Sequence, residues 1–185
     1  EQAKFETCAH RWVHAAEPGY GITVLTPTTY GHQVTRQQRE GGGIYTRIGC
    51  SLLRSAAFPD PRRDSGRHEF VHVVAPGTDI ADAVRLADEQ SFGIRAVLGA
   101  GPVAPAVEVT GDSVALEALK LAEDGSGDVI VRVREVRGTA SPASVRLGVA
   151  ASAVECDLIE RPLGEIDAHA LRLRPFEVKT LRFRR

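Results

Sequence analysis

The sequence predicts an all-β chain, built as β-sandwiches with one short helix. Three observations carry that prediction. Runs of β-branched and aromatic residues, several with strict apolar alternation, recur along the chain. Turn signals made of Gly, Pro, Asp and Ser separate them at short, regular spacing, as in a sandwich. A single stretch, opening at Asp79, combines helical spacing with a start and a stop signal.

Residues 5–13 are rich in aromatic and β-branched side chains and read as the first strand, with Trp12 in its core. Glu17-Pro18-Gly19 is a turn into a second strand over 20–25, and 27–31 is another turn. The Gly41-Gly42-Gly43 tip precedes a strand over 44–53. A loop dense in Pro, Asp and Arg covers 58–66, and 68–75 is a short β-type run. Asp79 caps the helix near 79–90, with Asp82 three residues on close to a capping box. Ile80, Val84 and Ala87 give its apolar stripe, and Gly93 follows its end.

The last part, residues 106–185, is regular. Residues 106–109 and 114–119 read as a hairpin across Gly111-Asp112-Ser113. Residues 116–123 have helical propensity, but their short length and flanking turns favour a strand. Val129, Val131 and Val133 alternate with Ile130, Arg132 and Arg134, and 145–149 and 154–158 repeat the pattern. The final strand opens at 171–174. Its parity changes at Pro175, which turns Phe176 and Val178 inward, and again before Leu181 and Phe183, so bulges are expected there. These readings place one β-sandwich with the helix in 1–105 and a small β-sandwich in 106–185.

The chain has 185 residues, 43% of them apolar, enough for a real core. A net charge of −1 gives no bulk attraction to nucleic acid or anionic membrane. No apolar run is long enough to span a bilayer, and no signal peptide is evident. Cys8, Cys50 and Cys156 are widely spaced and odd in number, which points to buried thiols in a reducing compartment, the cytoplasm. The sequence lacks methionine and opens on Glu1-Gln2-Ala3, so a piece of a larger protein is expected.

Residues 68–72 spell His-Glu-Phe-Val-His, the H-E-x-x-H zinc-protease pattern. On a helix, His68 and His72 would share a face and Glu69 would serve a zinc-bound water. The local residues resist a helix: Val71, Val73 and Val74 favour extended chain, and Pro76 blocks continuation. On a strand the two Cα atoms would lie about 13 Å apart, at roughly 3.3 Å per residue, too far for one ion. His10 and His14 pose the same question and receive the same answer. The terminal arginines, Arg172, Arg174, Arg182, Arg184 and Arg185, are not interleaved with aromatic residues and read as a solvated strand face.

Several blocks resemble the C-terminal β region of family 38 α-mannosidases, in particular the bacterial and cytosolic branch. They are Phe5-Glu6-Thr7-Cys8-Ala9-His10-Arg11-Trp12, then Tyr20-Gly21-Ile22-Thr23-Val24-Leu25 with Tyr30-Gly31-His32. Ser51-Leu52-Leu53-Arg54-Ser55, Phe58-Pro59-Asp60-Pro61 and Asp64-Ser65-Gly66-Arg67-His68-Glu69-Phe70 follow. Leu116-Glu117-Ala118-Leu119-Lys120 and Pro175-Phe176-Glu177-Val178-Lys179-Thr180-Leu181 complete a set that runs in order over nearly the whole chain. The resemblance implies that the first sandwich is part of a large supersandwich and that the second is immunoglobulin-like. It places His68-Glu69-Phe70 on a strand and makes the zinc-protease match a coincidence of sequence.

The resemblance also implies function. Family members are zinc-dependent retaining enzymes that remove terminal α-mannosyl residues, with catalytic carboxylates and zinc ligands in an N-terminal domain. None of those groups maps onto this chain, so no catalytic or metal-binding residue is assigned, and the chain alone is expected to be inactive. Loops of the β region wall the pocket in the family. Arg54, Asp60, Arg67 and His68 are therefore the leading sugar-contact candidates, with Tyr30 and His32 next, because arginine and carboxylate make directional bonds to hydroxyls. Gln33 stands where the family usually has Asp, so a role for that carboxylate does not carry over. The implied partners are the N-terminal catalytic domain, a mannose-containing carbohydrate and a second copy of the chain. The competing readings are a free-standing carbohydrate-binding sandwich and, behind it, the zinc protease.

Overall fold

The computed structural model describes residues 5–94, 96–99, 101, 104–148 and 152–184. They divide into two compact units, 1–95 and 96–185.

The first unit holds strands β1 (Thr7–Cys8), β2 (Arg11–Glu17), β3 (Tyr20–Thr26), β4 (Gly31–Gln38), β5 (Ile44–Cys50) and β6 (Val73–Pro76), and helix α1 (Ile80–Phe92). They form two antiparallel three-stranded sheets, β1-β4-β5 and β2-β3-β6. The Glu17-Pro18-Gly19 turn closes the β2–β3 hairpin, with Gly19 at a left-handed φ of 82°. Helix α1 begins where its sequence says it should. The Asp79 side chain accepts from the Asp82 amide, and the Asp82 side chain accepts from the Asp79 amide. Its Ala83, Val84 and Ala87 are buried, and the helix lies against β2 and β3. An ion pair from Arg11 to Asp88 fastens β2 to the helix. Gly21 is where the chain entering α1 closes onto β3: its carbonyl accepts from the amides of Gly77 (2.8 Å) and Thr78 (3.2 Å). A Cβ there would come within 2.6 Å of His14 Cε1, so only glycine fits.

Five expectations for this unit change. Residues 5–13 are not one strand: β1 and β2 join different sheets, and Arg11 turns between them at a φ of 72°. Trp12 is half-buried rather than in the core. Strand β4 was not anticipated, because Gly-His-Gln-Val-Thr-Arg-Gln-Gln offers almost no apolar alternation; its register with β5 supplies the order instead. The run at 68–75 pairs only over Val73–Pro76, and β5 stops at Cys50 rather than at 53.

The second unit holds β7 (Val107–Thr110), β8 (Val114–Leu121), β9 (Val129–Glu135), β10 (Ser141–Leu147), β11 (Ala153–Cys156), β12 (Pro162–Glu165), β13 (Leu171–Leu173) and β14 (Val178–Phe183). A three-stranded sheet, β13-β10-β7, faces a five-stranded one, β12-β11-β14-β9-β8. Val131, Val133, Leu181 and Phe183 from the larger sheet and Val145, Leu171 and Leu173 from the smaller fill the space between them. Val133, Val145, Leu173 and Phe183 alternate with polar neighbours, the period of two a half-buried strand requires, whereas Ile130 beside Val131 and Thr180 beside Leu181 are buried as well.

Two expectations fail here for one reason. The residues on either side of Gly111-Asp112-Ser113 do not pair: β7 joins β10 and β8 joins β9, so the turn carries the chain from one sheet to the other. Likewise the final strand is not bulged but divided. The turn at Arg174–Glu177 (3.0 Å, amide of Glu177 to carbonyl of Arg174) passes the chain from β13 to β14. Phe176 and Val178, expected inward, are exposed. The parity change was real, but a crossing between sheets resets parity as a bulge does. Residues 116–121 are strand, with a register shift between Leu116 and Ala118. Strand β12 was not foreseen, and Val149 lies outside the described residues.

Of the terminal arginines, Arg182 is enclosed and paired, whereas Arg174 and Arg184 pair yet stay exposed, as a solvated strand face implies. Arg182 donates to Asp128 (2.7 Å) and Asp124 (2.6 Å), Arg174 to Glu177 (3.1 Å) and Arg184 to Glu165 (3.4 Å). Arg172 stands on the exposed side of β13, and Arg185 lies outside the described residues.

Candidate functional site

The candidate residues come from two places in the first unit: the entry to β4 and the long segment between β5 and β6. At the entry, the Tyr30 carbonyl accepts from the Ala9 amide (2.9 Å) and lies 3.1 Å from His32 Nδ1. The Tyr30 ring, half-exposed, stacks on His10 with centroids 5.7 Å apart and planes 13° from parallel. His32 itself is fully buried, and its Nε2 is enclosed without a hydrogen-bond partner among the described residues. Gly31 between them admits the start of the long segment: the Ser51 amide donates to its carbonyl (2.8 Å), and Ser51 Oγ donates to Glu6 (2.5 Å). A Cβ on Gly31 would collide with Glu6 and the Ser51 side chain.

From there residues 51–72 run without regular secondary structure. An irregular segment of this length in a compact domain is commonly functional. Its shape is set by two aspartates. Asp64 Oδ2 accepts from the Ser55 amide (3.1 Å), which closes 55–64 into a loop. Asp60 Oδ1 accepts from the Arg62 amide (2.9 Å), holding the tip. His68 Nε2 lies 2.9 Å from the Asp64 carbonyl, and its ring stacks on Phe70 at 6.1 Å. Arg54 and Arg67 are exposed, and Phe58 at the tip is 85% exposed.

Asp60 thus spends one oxygen on its own turn and keeps the other available, whereas the guanidinium groups of Arg54 and Arg67 extend from a shaped loop. Asp64 was missed as an individual position by sequence reasoning. The signal was there: an Asp nine residues after Ser55, just before Ser65-Gly66, is a residue type that closes loops on backbone amides.

The H-E-x-x-H residues are in this segment and not in a helix. The one-turn spacing on a helical face, which the zinc-protease reading needs, is therefore not the local geometry. His68 and His72 also differ in setting. The first is exposed, and the second is partly buried, with an enclosed Nε2 that has no partner among the described residues. Burial raises the Cys50 thiol above its ordinary range and, in the second unit, does the same to Cys156.

Comparison with known proteins fixes the family. A model described as the glycosyl hydrolases family 38 C-terminal domain matches residues 1–62, and one described as that family's C-terminal beta sandwich domain matches 113–181. The chain belongs to the C-terminal β region of glycosyl hydrolase family 38. Human alpha-mannosidase 2C1 is 32% identical across 97% of the chain, and alpha-mannosidase G of Dictyostelium discoideum is 27% identical across 98%. The chain spans only 18% and 17% of the length of these two relatives. The fold of the family 38 protein from Enterococcus faecalis superposes with a TM-score of 0.74 over 96% of this chain and 22% of that one, at 19% identity. The family 38 assignment puts 51–62, the first half of the irregular segment, inside the matched region.

Proposed function

We propose that this chain is the non-catalytic C-terminal β region of a zinc-dependent, retaining α-mannosidase, and that residues 51–72 face the enzyme's catalytic domain and help wall its sugar pocket. The observation that carries the reading is the loop itself: a shaped, exposed segment that presents Arg54 and Arg67 and a bare Phe58 ring within a family 38 chain. Arg54 is assigned a directional contact to a mannose hydroxyl, with Asp60, Arg67 and His68 as neighbours on the same segment. Tyr30 offers a ring face, and His32 acts indirectly, through the carbonyl of Tyr30.

Zinc belongs, in this reading, to the catalytic domain. Among the described residues no three His, Cys, Asp or Glu side chains gather as a metal would need, so no step is assigned to zinc on this chain. A cytoplasmic home accords with three cysteines that are all free. No helix of the described residues is long and apolar enough to cross a membrane.

The test is Arg54→Ala in the intact enzyme, assayed on an aryl α-mannoside. The expected outcome is a kcat/KM lowered by at least about tenfold, the size of one lost directional contact, with the unfolding midpoint unchanged. Unaltered kinetics would make Arg54 an ordinary surface residue and remove the segment from the pocket.

A further inference from the structure

The turn between β11 and β12, Asp157-Leu158-Ile159-Glu160-Arg161, is braced from within and from below. Its backbone closes on itself, with the Asp157 amide on the Arg161 carbonyl and the Glu160 amide on the Asp157 carbonyl, both at 3.0 Å. The Asp157 carboxylate accepts from the amides of Ile159 (3.0 Å) and Arg161 (2.9 Å) and from Arg161 Nε (2.7 Å). Glu160 takes a left-handed φ of 69°, and its side chain points back under the turn. There it is only 9% exposed and accepts from Lys120 Nζ (2.7 Å) and the Glu123 amide (2.9 Å). Arg132 of β9 donates to the Leu158 carbonyl (3.0 Å).

What this frame presents outward is apolar. Leu158 and Ile159 are 64% and 70% exposed at its tip, and Leu163, near the start of β12, is exposed as well. Edge strand β12 pairs with β11 and has no second neighbour among the described residues, yet it is built to refuse one. Pro162 lacks an N–H, and the register runs from Cys156–Pro162 to Glu155–Gly164, which leaves Leu163 as the extra residue of a bulge. Contact here is therefore made by side chains and not by an added strand. Aliphatic side chains offer no hydrogen bond, and the charges of the turn are already matched, Asp157 with Arg161 and Glu160 with Lys120. The receptor they fit is an apolar recess.

Size decides where that recess lies. Three such side chains cover roughly a few hundred Å², well short of the roughly 1,000 Å² that a separate partner needs. Two copies meeting tip to tip fall under the same limit. A recess on the same polypeptide needs far less, because the tether keeps the two surfaces at high effective concentration. The relatives leave room for one: the chain spans 18% and 17% of their length.

We propose that the Leu158–Ile159 tip, together with Leu163, is a fixed docking knob that seats in an apolar recess on the part of the enzyme outside these 185 residues. Because the turn is braced before it docks, seating it costs little ordering entropy. The inference rests on the reading of the chain as the C-terminal region of a longer α-mannosidase, and not on the sugar contact assigned to Arg54.

The experiment is hydroxyl-radical footprinting of the 185-residue chain and of the intact enzyme, read by mass spectrometry at Leu158, Ile159 and Leu163. Labelling of Leu158 and Ile159 should be at least about fivefold slower in the intact enzyme, as for side chains shut away from water at the centre of a contact. In the intact enzyme, Ile159→Asp should return Leu158 to nearly the rate seen in the chain alone, and Leu158→Asp should do the same for Ile159. Either variant decides the matter if the other folds poorly. Equal labelling in the two forms overturns the proposal. So does protection in the chain alone that grows with concentration, which would make the receptor a second copy, or protection that both folded variants leave intact. Arg54→Ala reads turnover and the footprint reads cover, so a protected tip beside unaltered Arg54 kinetics removes only the sugar contact, and an open tip beside lowered kinetics removes only the knob.

Discussion

Glu135 shows how much one side chain can organise. It closes β9, is fully buried, and receives the amides of Arg137 (2.9 Å), Gly138 (2.8 Å) and Phe176 (2.9 Å) as well as the Thr139 hydroxyl. One carboxylate thereby holds the β9–β10 turn and the crossing from β13 to β14. Burial pushes its pKa up, but the amide donors from Phe176, Arg137, Thr139 and Gly138 together outweigh burial and bring it from 4.5 to about 2. A folded value below the unfolded one means stability that is complete above about pH 4.5 and is lost as pH falls towards 2. Glu135→Gln should therefore unfold at lower urea at pH 7, by about 1–3 kcal/mol for each donor left facing the new amide nitrogen. It should also show a flatter loss of stability between pH 4.5 and 2 than the parent. A variant with the parent's midpoint at both pH values would show that the turns hold themselves. Its inward side was legible, since Glu135 falls in register with Val129, Val131 and Val133, but its partners were not. The hint to them is the following Val-Arg-Gly-Thr, a tight turn whose amides need an acceptor.

Among the elements, α1 was the most legible because its signals are local. Capping box, apolar stripe and terminal glycine all lie within the helix or one residue from it. Asp79→Ala removes the acceptor for the Asp82 amide and should cost about 1 kcal/mol, read as a lowered urea midpoint with the helix end at 79–82 exchanging amides faster. An unchanged midpoint would mean that packing on β2 and β3 alone fixes the helix start. The missed strands, β4 and β12, pair with chain neighbours but lack apolar alternation, and the misjoined one, β7, has its partner β10 two strands further on. Nothing in the polar run of β4 announces pairing with β5. Nothing in a Gly-Asp-Ser turn distinguishes a hairpin from a passage between sheets, because both need the same backbone reversal. The candidate site shows the same division. Its loop was legible from composition, whereas the Asp64 tie that shapes it is a contact across nine residues, visible only after folding.

At the scale of the molecule, both units leave apolar side chains uncovered. The second encloses a core between two sheets yet leaves Leu121, Ile159, Leu163 and Phe176 exposed. The first leaves Leu52, Leu53, Phe58, Val71 and Val73 exposed, and Val74 is 63% exposed. Val73 and Val74 lie on β6, which pairs with β3 and has no second neighbour among the described residues. An edge strand with bare valines offers both unpaired backbone groups and apolar surface, a combination that recruits another chain. With the 185-residue chain alone in solution, a second copy is the available partner, and a two-fold pairing would bury the same face on both. Light scattering should then report a mass above that of the 19.9 kDa monomer, rising with concentration. Val74→Lys should return it towards the monomer, because a charge on an edge strand opposes pairing without entering the core. A clean monomer over the same concentrations would show that the first unit is content with its exposed edge, and the apolar side chains of β6 would lose their claim to mark an interface.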